Sequence, residues 1–431
     1  MESVKIGSVG LGRLGYEHAK NLAASIPGCV LHAICNVDTS RLRAVAEELG
    51  VPHTYTDFAA MCADPELDGI VIVSPSFLHV EQIKIAMEHG KHVFCEKPLG
   101  TNVAQCKEAE KVVEAHPELV FQLGFMRRFD PSYAEAKRRV DAGEIGKVVL
   151  VRSCTQDPRS TIESTLKFLP HSGGQFLDMC VHDLDLIRWF TGSNIRNVWA
   201  IGGVFEFDLC RELHDTDNAA AMVQCENGAM GFLFANRTHA AGCNVETEIV
   251  GTHGTLRIAP VGARNLLQVV DEHGARQEYY PDFMSRWHTA FLAEMQAFTN
   301  HIRTGTHPAD LTVYDGTAVS EAAYRCKESF ETGKMLAETA PGPSGTTEGA
   351  SAEHASPAAA EAAPAECSAG GRPARWLWRS WRTGWPGPLG PSPEDRVVQH
   401  RGPSHTGPQI PPGVAGVPHS VQDYPQHQQH H

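Results

Sequence analysis

The feature that most restricts this chain lies at its start. The run Lys5-Ile6-Gly7-Ser8-Val9 leads straight into Gly10-Leu11-Gly12-Arg13-Leu14-Gly15, and a helical pattern follows over about 13–25. In a strand–turn–helix setting Gly10 allows the tight turn, Gly12 lets a pyrophosphate approach the backbone, and Gly15 permits close packing of helix on strand. The unpaired N–H groups and positive end of the helix then complement the phosphates. Such a glycine pattern is weak by itself. Its place at the head of a βαβ series makes dinucleotide binding the expectation.

That series is visible. Strands are expected at about 4–9, 29–35, 69–73, 92–95 and 119–124, with helices near 13–25, 39–49, 78–89 and 103–115. The alternation indicates parallel βαβ units, an α/β Rossmann domain over 1–124. From about 147 the pattern becomes a succession of β-rich runs, VVLVRSCTQ, VWAIGGVFEF, AAAMVQCE, MGFLFANR and VETEIVG, with turns between them. This predicts an α+β domain over 125–337 with a large, mostly antiparallel open sheet. Helices are expected near 131–142, 174–191, 286–303 and 312–331, the last packing back on the first domain.

Composition changes near Glu338. From Thr339 the chain is rich in Pro, Ala, Gly, Ser and Glu with no periodic apolar face, so 338–431 is expected to be a disordered tail. Within it RWLWRSWRTGW carries Trp376, Trp378, Trp381 and Trp385 among arginines. That cluster reads either as a partner-contacting patch or as a non-selected extension. The net charge of −14 argues against nucleic acid or an anionic membrane as partner. Twelve cysteines occur singly with no C-x-x-C pair, which indicates reduced thiols rather than a disulfide framework or a zinc site. No basic leader with a long apolar stretch opens the sequence, and a cytoplasmic location is expected.

Three further places carry chemistry. The second strand ends at Asn36, with Asp38 two residues on, where an acid would accept from the ribose 2′-OH and repel a 2′-phosphate. NAD is therefore favoured and NADP weakly possible, with Arg41 and Arg43 on the following helix. Lys97 follows a buried strand in Glu96-Lys97-Pro98, at the edge where doubly wound sheets bind ligands. Asp178 and His182, four apart, share a face if they lie on one helix, and a histidine can take a hydroxyl proton near neutral pH. The same spacing also fits a solvated ion pair. A metal on His182, Asp183 and Asp185 is not expected, because neighbouring helix positions point apart.

Taken in order, the glycine loop, Ser74-Pro75 with His79, Glu96-Lys97-Pro98, Gly124-Phe125-Met126-Arg127-Arg128-Phe129-Asp130 and Asp178-x-x-x-His182-Asp183 resemble a known family. It is the glucose-fructose oxidoreductase / inositol dehydrogenase / rhizopine catabolism family, over about residues 3–335. The resemblance implies Lys97, Asp178 and His182 as catalytic residues and Arg127 and Asp157 as further substrate contacts. It implies cofactor contacts from Gly10, Gly12, Arg13, Leu14, Gly15, Asn36, Asp38, Ser74, His79, Glu96 and Lys97. It also implies oxidation of a cyclic polyol such as myo- or scyllo-inositol, and a homotetramer formed through the exposed sheet face. Other readings are a dehydrogenase of another sugar, an NAD-dependent glycosidase, and a non-catalytic dinucleotide-binding sensor. Retention of Lys97, Asp178 and His182 together speaks against the sensor.

Overall fold

The protein is described by a computed structural model over residues 3–260 and 262–337. Six strands form its first sheet: β1 (Val4–Val9), β2 (Cys29–Cys35), β3 (His53–Tyr55), β4 (Gly69–Ile72), β5 (His92–Glu96) and β6 (Phe121–Gly124). All pairs are parallel, in the order β3-β2-β1-β4-β5-β6. Helices α1 (Arg13–Ala24), α2 (Thr39–Leu49), α3 (Phe58–Cys62), α4 (His79–Glu88) and α5 (Val103–Glu114) connect them. Strand β4 is buried throughout, as a parallel sheet covered on both faces requires. The order reverses between β1 and β4, which opens a crevice at their C-terminal ends. Gly10 and Ser74 stand at its mouth.

The short β3 and α3 carry too few residues for a periodic pattern and are additions to the expected elements. The strand expected over 119–124 begins two residues later. Val120 N–H donates to His92 Nδ1 at 2.8 Å instead of joining the ladder.

The second sheet has seven strands. They are β7 (Val148–Pro158), β8 (Ile195–Gly203), β9 (Asn218–Cys225), β10 (Met230–His239), β11 (Asn244–Gly251), β12 (Thr255–Ile258) and, after the small hairpin β13 (Val269–Asp271) and β14 (Gly274–Arg276), β15 (Leu336–Ala337). Its order is β12-β11-β7-β10-β9-β8-β15, antiparallel except where β10 lies parallel to β7. The helices here are α6 (Pro131–Asp141), α7 (Ile162–Phe168), α8 (Gln175–Asp178), α9 (Cys180–Thr191), α10 (Asp208–Glu212), α11 (Phe283–Thr304) and α12 (Val313–Thr332).

Strict alternation along β9 buries Ala219, Ala221, Val223 and Cys225 on the helix-covered face and leaves Met222 outside. Helix α12 starts in a capping box of Thr312 and Asp315. It then lies so close to β6 that a Cβ at Gly316 would stand 2.8 Å from the Leu123 side chain. Tyr324 on the same helix donates its hydroxyl to the Thr101 carbonyl. Among the described residues no helix is long and apolar enough to cross a membrane. The tail expected over 338–431, with its tryptophan cluster, lies outside the described residues.

Candidate functional site

The glycine loop has the backbone that its sequence requires. Gly10 sits at φ +89°, and a Cβ there would stand 2.6 Å from the Val73 carbonyl oxygen. A Cβ on Gly15 would lie 1.9 Å from the Gly10 carbonyl oxygen, so helix and loop could not close. A Cβ at Gly12 would meet nothing within 4 Å, which leaves the approach to the α1 N-terminus open to a diphosphate. Arg13 leans away from the loop. It donates to Ser164 Oγ at 3.0 Å and lies over the Phe283 ring at 4.7 Å, while Leu14 packs partly buried against the core.

At the β2 tip Asn36 Oδ1 accepts from Leu11 N–H at 3.2 Å, tying the two turns together. The Asp38 carboxylate is engaged locally, where its Oδ1 accepts from the N–H groups of Ser40 and Arg41 and caps α2. Arg41 stacks on the Tyr16 ring and donates Nε to the Leu11 carbonyl at 3.3 Å. A neutral amide and a guanidinium thus flank the place where a ribose would sit.

Residues expected around the cofactor from the next two turns point inward. The His79 ring lies between the carbonyl oxygens of Pro98 (2.8 Å) and Ser74 (2.9 Å), bridging the turns after β4 and β5. Ser74 Oγ donates to Gln82. Glu96 is buried, 2.8 Å from His18 Nε2, and accepts the Lys97 N–H at 3.1 Å. His79 and Glu96 therefore shape the turn that presents Lys97.

Lys97 leaves β5 through a cis peptide to Pro98 and reaches the second sheet's helices. Its Nζ donates to the Asp178 backbone carbonyl at 2.7 Å and lies 3.5 Å from Asp178 Oδ1. This contact changes the helix expected over 174–191. Drawn onto Lys97, the Asp178 carbonyl leaves the helical ladder, and His182 N–H bonds the Met179 carbonyl instead, at 3.3 Å. The segment is consequently two helices, α8 ending at Asp178 and α9 starting at Cys180. Asp178 and His182 stand on either side of that break, not on one continuous helix.

His182 is 7% exposed, and its ring meets Phe125 edge-on at 6.2 Å. Burial, and then the nearby charges of Lys97 and Arg127, hold its pKa well below the ordinary histidine value. It rests neutral, the state in which a base can accept a proton. Asp157, at the end of β7, is pushed up to about 6, by burial first and then by the charge of Asp178. Arg237, Arg127 and Lys97 pull it the other way. The charges of Lys97 and Arg127 thus act on both His182 and Asp157, and that of Asp178 on Asp157.

Arg127 stands at the back of it. Its guanidinium donates to Asp183 Oδ1 at 2.9 Å and Thr155 Oγ1 at 2.8 Å, and it is 2% exposed. Arg128 grips Asp185 with Nε at 3.0 Å and with Nη2. The double arginine of the motif thereby bolts α9 in place through Asp183 and Asp185.

Arg237 on β10 is the residue that sequence reasoning missed. It is 1% exposed, donates to Asp215 Oδ2 at 3.0 Å and to the Thr216 carbonyl at 2.8 Å, and holds Nη2 3.7 Å from Asp178 Oδ2. A signal existed: along β10 the inward positions read Gly231, Leu233, Ala235 and then a charged side chain.

This geometry agrees with comparisons to known proteins. Residues 4–125 match an oxidoreductase family with an NAD-binding Rossmann fold, and residues 133–257 match the GFO/IDH/MocA C-terminal domain. The chain belongs to the Gfo/Idh/MocA oxidoreductase family. Among Gfo/Idh/MocA proteins it is 37% identical to scyllo-inositol 2-dehydrogenase (NAD(+)) of Bacillus subtilis, over 77% of this chain and 95% of that one. It is 33% identical to myo-inositol 2-dehydrogenase of Thermotoga maritima, over 76% and 96%. The crystal structure of scyllo-inositol dehydrogenase from Lactobacillus casei with bound NAD(H) and scyllo-inositol superposes with a TM-score of 0.75 at 43% identity. That match covers 78% of this chain and 99% of the other.

Proposed function

We propose that this chain oxidises one ring hydroxyl of an inositol, myo- or scyllo-inositol, to the keto-inositol with NAD. The observation that carries the reading is the convergence of Lys97, Asp178 and a neutral, buried His182 at the C-terminal edge of a dinucleotide-binding sheet. NAD, held by Gly10, Gly12 and Gly15 at the α1 N-terminus, supplies the hydride acceptor when bound.

His182 takes the hydroxyl proton as general base. Lys97 steadies the negative charge that develops on the oxygen, an oxyanion-type contribution. Asp178, held by Lys97 and faced by Arg237, orients a neighbouring hydroxyl and the lysine. Asp157 offers a second polar contact for the ring, while Arg127 supports the site from behind through Asp183 and Thr155. Screening a panel of inositols and aldoses for nicotinamide reduction tests the assignment. Turnover of an aldose with no inositol accepted would refute it.

The division into 1–124, 125–337 and a separate 338–431 is part of the same reading. NADP is weakly tolerated, because Asn36 is neutral and the Asp38 carboxylate is engaged as a helix cap. The outer face of the second sheet supports a homotetramer: Trp199, Met222 and Met230 are exposed and line an apolar surface together with Met335, and Ile201 on β8 is exposed as well. Eleven cysteines among the described residues are unpaired and ten of them buried, which suits a reducing, cytoplasmic setting. No nucleic-acid or membrane partner is part of this reading.

A further inference from the structure

One buried cluster of titratable groups is not used by the chemistry above. Glu96 joins His18 of α1, and Glu294 of α11 completes the group: one polar atom from each of the three lies within 4.8 Å of the others. His18 and Glu294 are fully buried. His18 Nδ1 and both carboxylate oxygens of Glu294 have no hydrogen-bond partner. The His18 ring is wedged against Phe94 at 5.6 Å and Phe291 at 5.4 Å, so the surroundings are otherwise apolar. Strand β6 adds only the neutral Gln122, whose Nε2 donates to the Glu294 backbone carbonyl at 2.9 Å.

The charge state of Glu294 follows from its surroundings. Glu96 is engaged at both oxygens, by the His18 ring nitrogen at one and by the Lys97 N–H at the other. Glu294 has no donor at either oxygen and no access to water, so an ionised carboxylate there would stand unsolvated beside a second one. Two carboxyls this close cannot both ionise, and one keeps a proton. A metal ion fits the cluster poorly. His18 Nε2 and Glu96 Oε1 are 2.8 Å apart, a hydrogen-bond distance, whereas ligands at about 2.0–2.2 Å around a tetrahedral ion stand more than about 3 Å from each other.

We propose that Glu294 is a carboxylic acid kept protonated beside Glu96 and His18, and that this buried triad holds the turn presenting Lys97. It joins three elements with different duties. Helix α1 follows the glycine loop, β5 ends in Lys97, and α11 runs past both. Glu294 acts through Glu96 and is a positioning residue. The kinetic arm of its test rests on the role proposed for Lys97; the stability arm does not, so failure of one reading is distinguishable from failure of the other.

The experiment compares the full chain with Glu294→Gln in urea unfolding at equal protein concentration between about pH 6 and pH 8. The folded wild type keeps a proton that its unfolded chain releases, so its stability is lost as pH rises. Relative to the glutamine variant its unfolding constant should climb about tenfold per pH unit. A ratio that does not change with pH means that Glu294 is ionised in the folded protein and overturns the proposal.

In the kinetic arm, Glu294→Gln keeps a neutral polar group of the same shape and should turn over inositol at close to the wild-type kcat. Glu294→Leu removes the polar group and should lower kcat by about ten- to a hundredfold, with the NAD KM unchanged. Wild-type kcat in the leucine variant overturns the positioning role, and if that variant does not fold, the glutamine unfolding series decides. One equivalent of metal in the purified enzyme, lost in Glu294→Gln, overturns the protonated acid.

Discussion

Replacing Lys97 with Met tests the site at three points, because one ammonium group acts in three ways. In the proposed mechanism it stabilises charge on the reacting oxygen; in the structure it holds the Asp178 carbonyl at 2.7 Å, and its charge helps keep His182 neutral. Losing a preorganised donor at a developing oxyanion costs about 10²–10³ in kcat, or about 2.7–4 kcal/mol. The second readout is independent of that loss. The acid limb of kcat/KM reports protonation of the base in the free enzyme, and with His182 as that base it should lie well below the ordinary histidine value in the wild type. Without the lysine the imidazole loses a repelling charge, its pKa rises, and the limb moves to higher pH. Binding of NAD, followed by nicotinamide fluorescence or calorimetry, should fall far less than kcat, because one expected cofactor contact is lost while the glycine loop is untouched. Initial rates of NADH formation across about pH 5–9 give both numbers from one series. A kcat within about tenfold of wild type, or an acid limb that stays in place, refutes the assignment of Lys97 beside the reacting oxygen.

His182→Ala should cost about 10²–10⁴ in turnover while dinucleotide binding survives, as kinetics and calorimetry would show. Asn36→Asp preserves the acceptor for Leu11 N–H and adds a charge at the ribose, so the NADP KM should rise far more than the NAD KM. Asp157 has a raised pKa, so the folded wild type carries a stability cost at neutral pH that disappears as pH falls from about 6 toward the unfolded carboxylate value. Asp157→Asn should therefore melt higher than wild type at pH 7 and equally at about pH 4, even as its activity drops. Trp199→Glu with Met222→Glu should break the proposed homotetramer into smaller species in light scattering without unfolding the chain.

Much of this arrangement can be read from residue order. Three glycines at fixed spacing demand the turn, and Lys97 after a buried run marks the ligand edge of the sheet, because both follow from local backbone rules. What escaped depends on distant contacts. The break at Met179 is set by a lysine 81 residues upstream of Asp178, and no pattern within 174–191 reports it. Asp38 stands where a ribose contact is expected, yet the N-terminus of the very next helix takes its carboxylate. His79 and Glu96 belong to recurrent motifs, but composition does not say whether a polar side chain faces the cleft or the turn beneath it. Arg237 is the one omission with a usable signal, a charge at an inward position of an alternating strand.

The contact between Lys97 and the Asp178 carbonyl also limits how such a chain can be recombined. The segment of α8 and α9, beside the second sheet, is kept in two pieces by a side chain delivered from the end of β5 in the first sheet. Grafting another dinucleotide-binding unit in place of residues 1–124 would preserve the shape of the neighbouring site only where that unit carries a lysine at the same exit from its fifth strand. Without it the freed carbonyl can rejoin the ladder, α8 and α9 can fuse, and Asp178 rotates with the new turn. The two parts are therefore inherited together in this architecture, because some of the backbone at the candidate site is set by its neighbour.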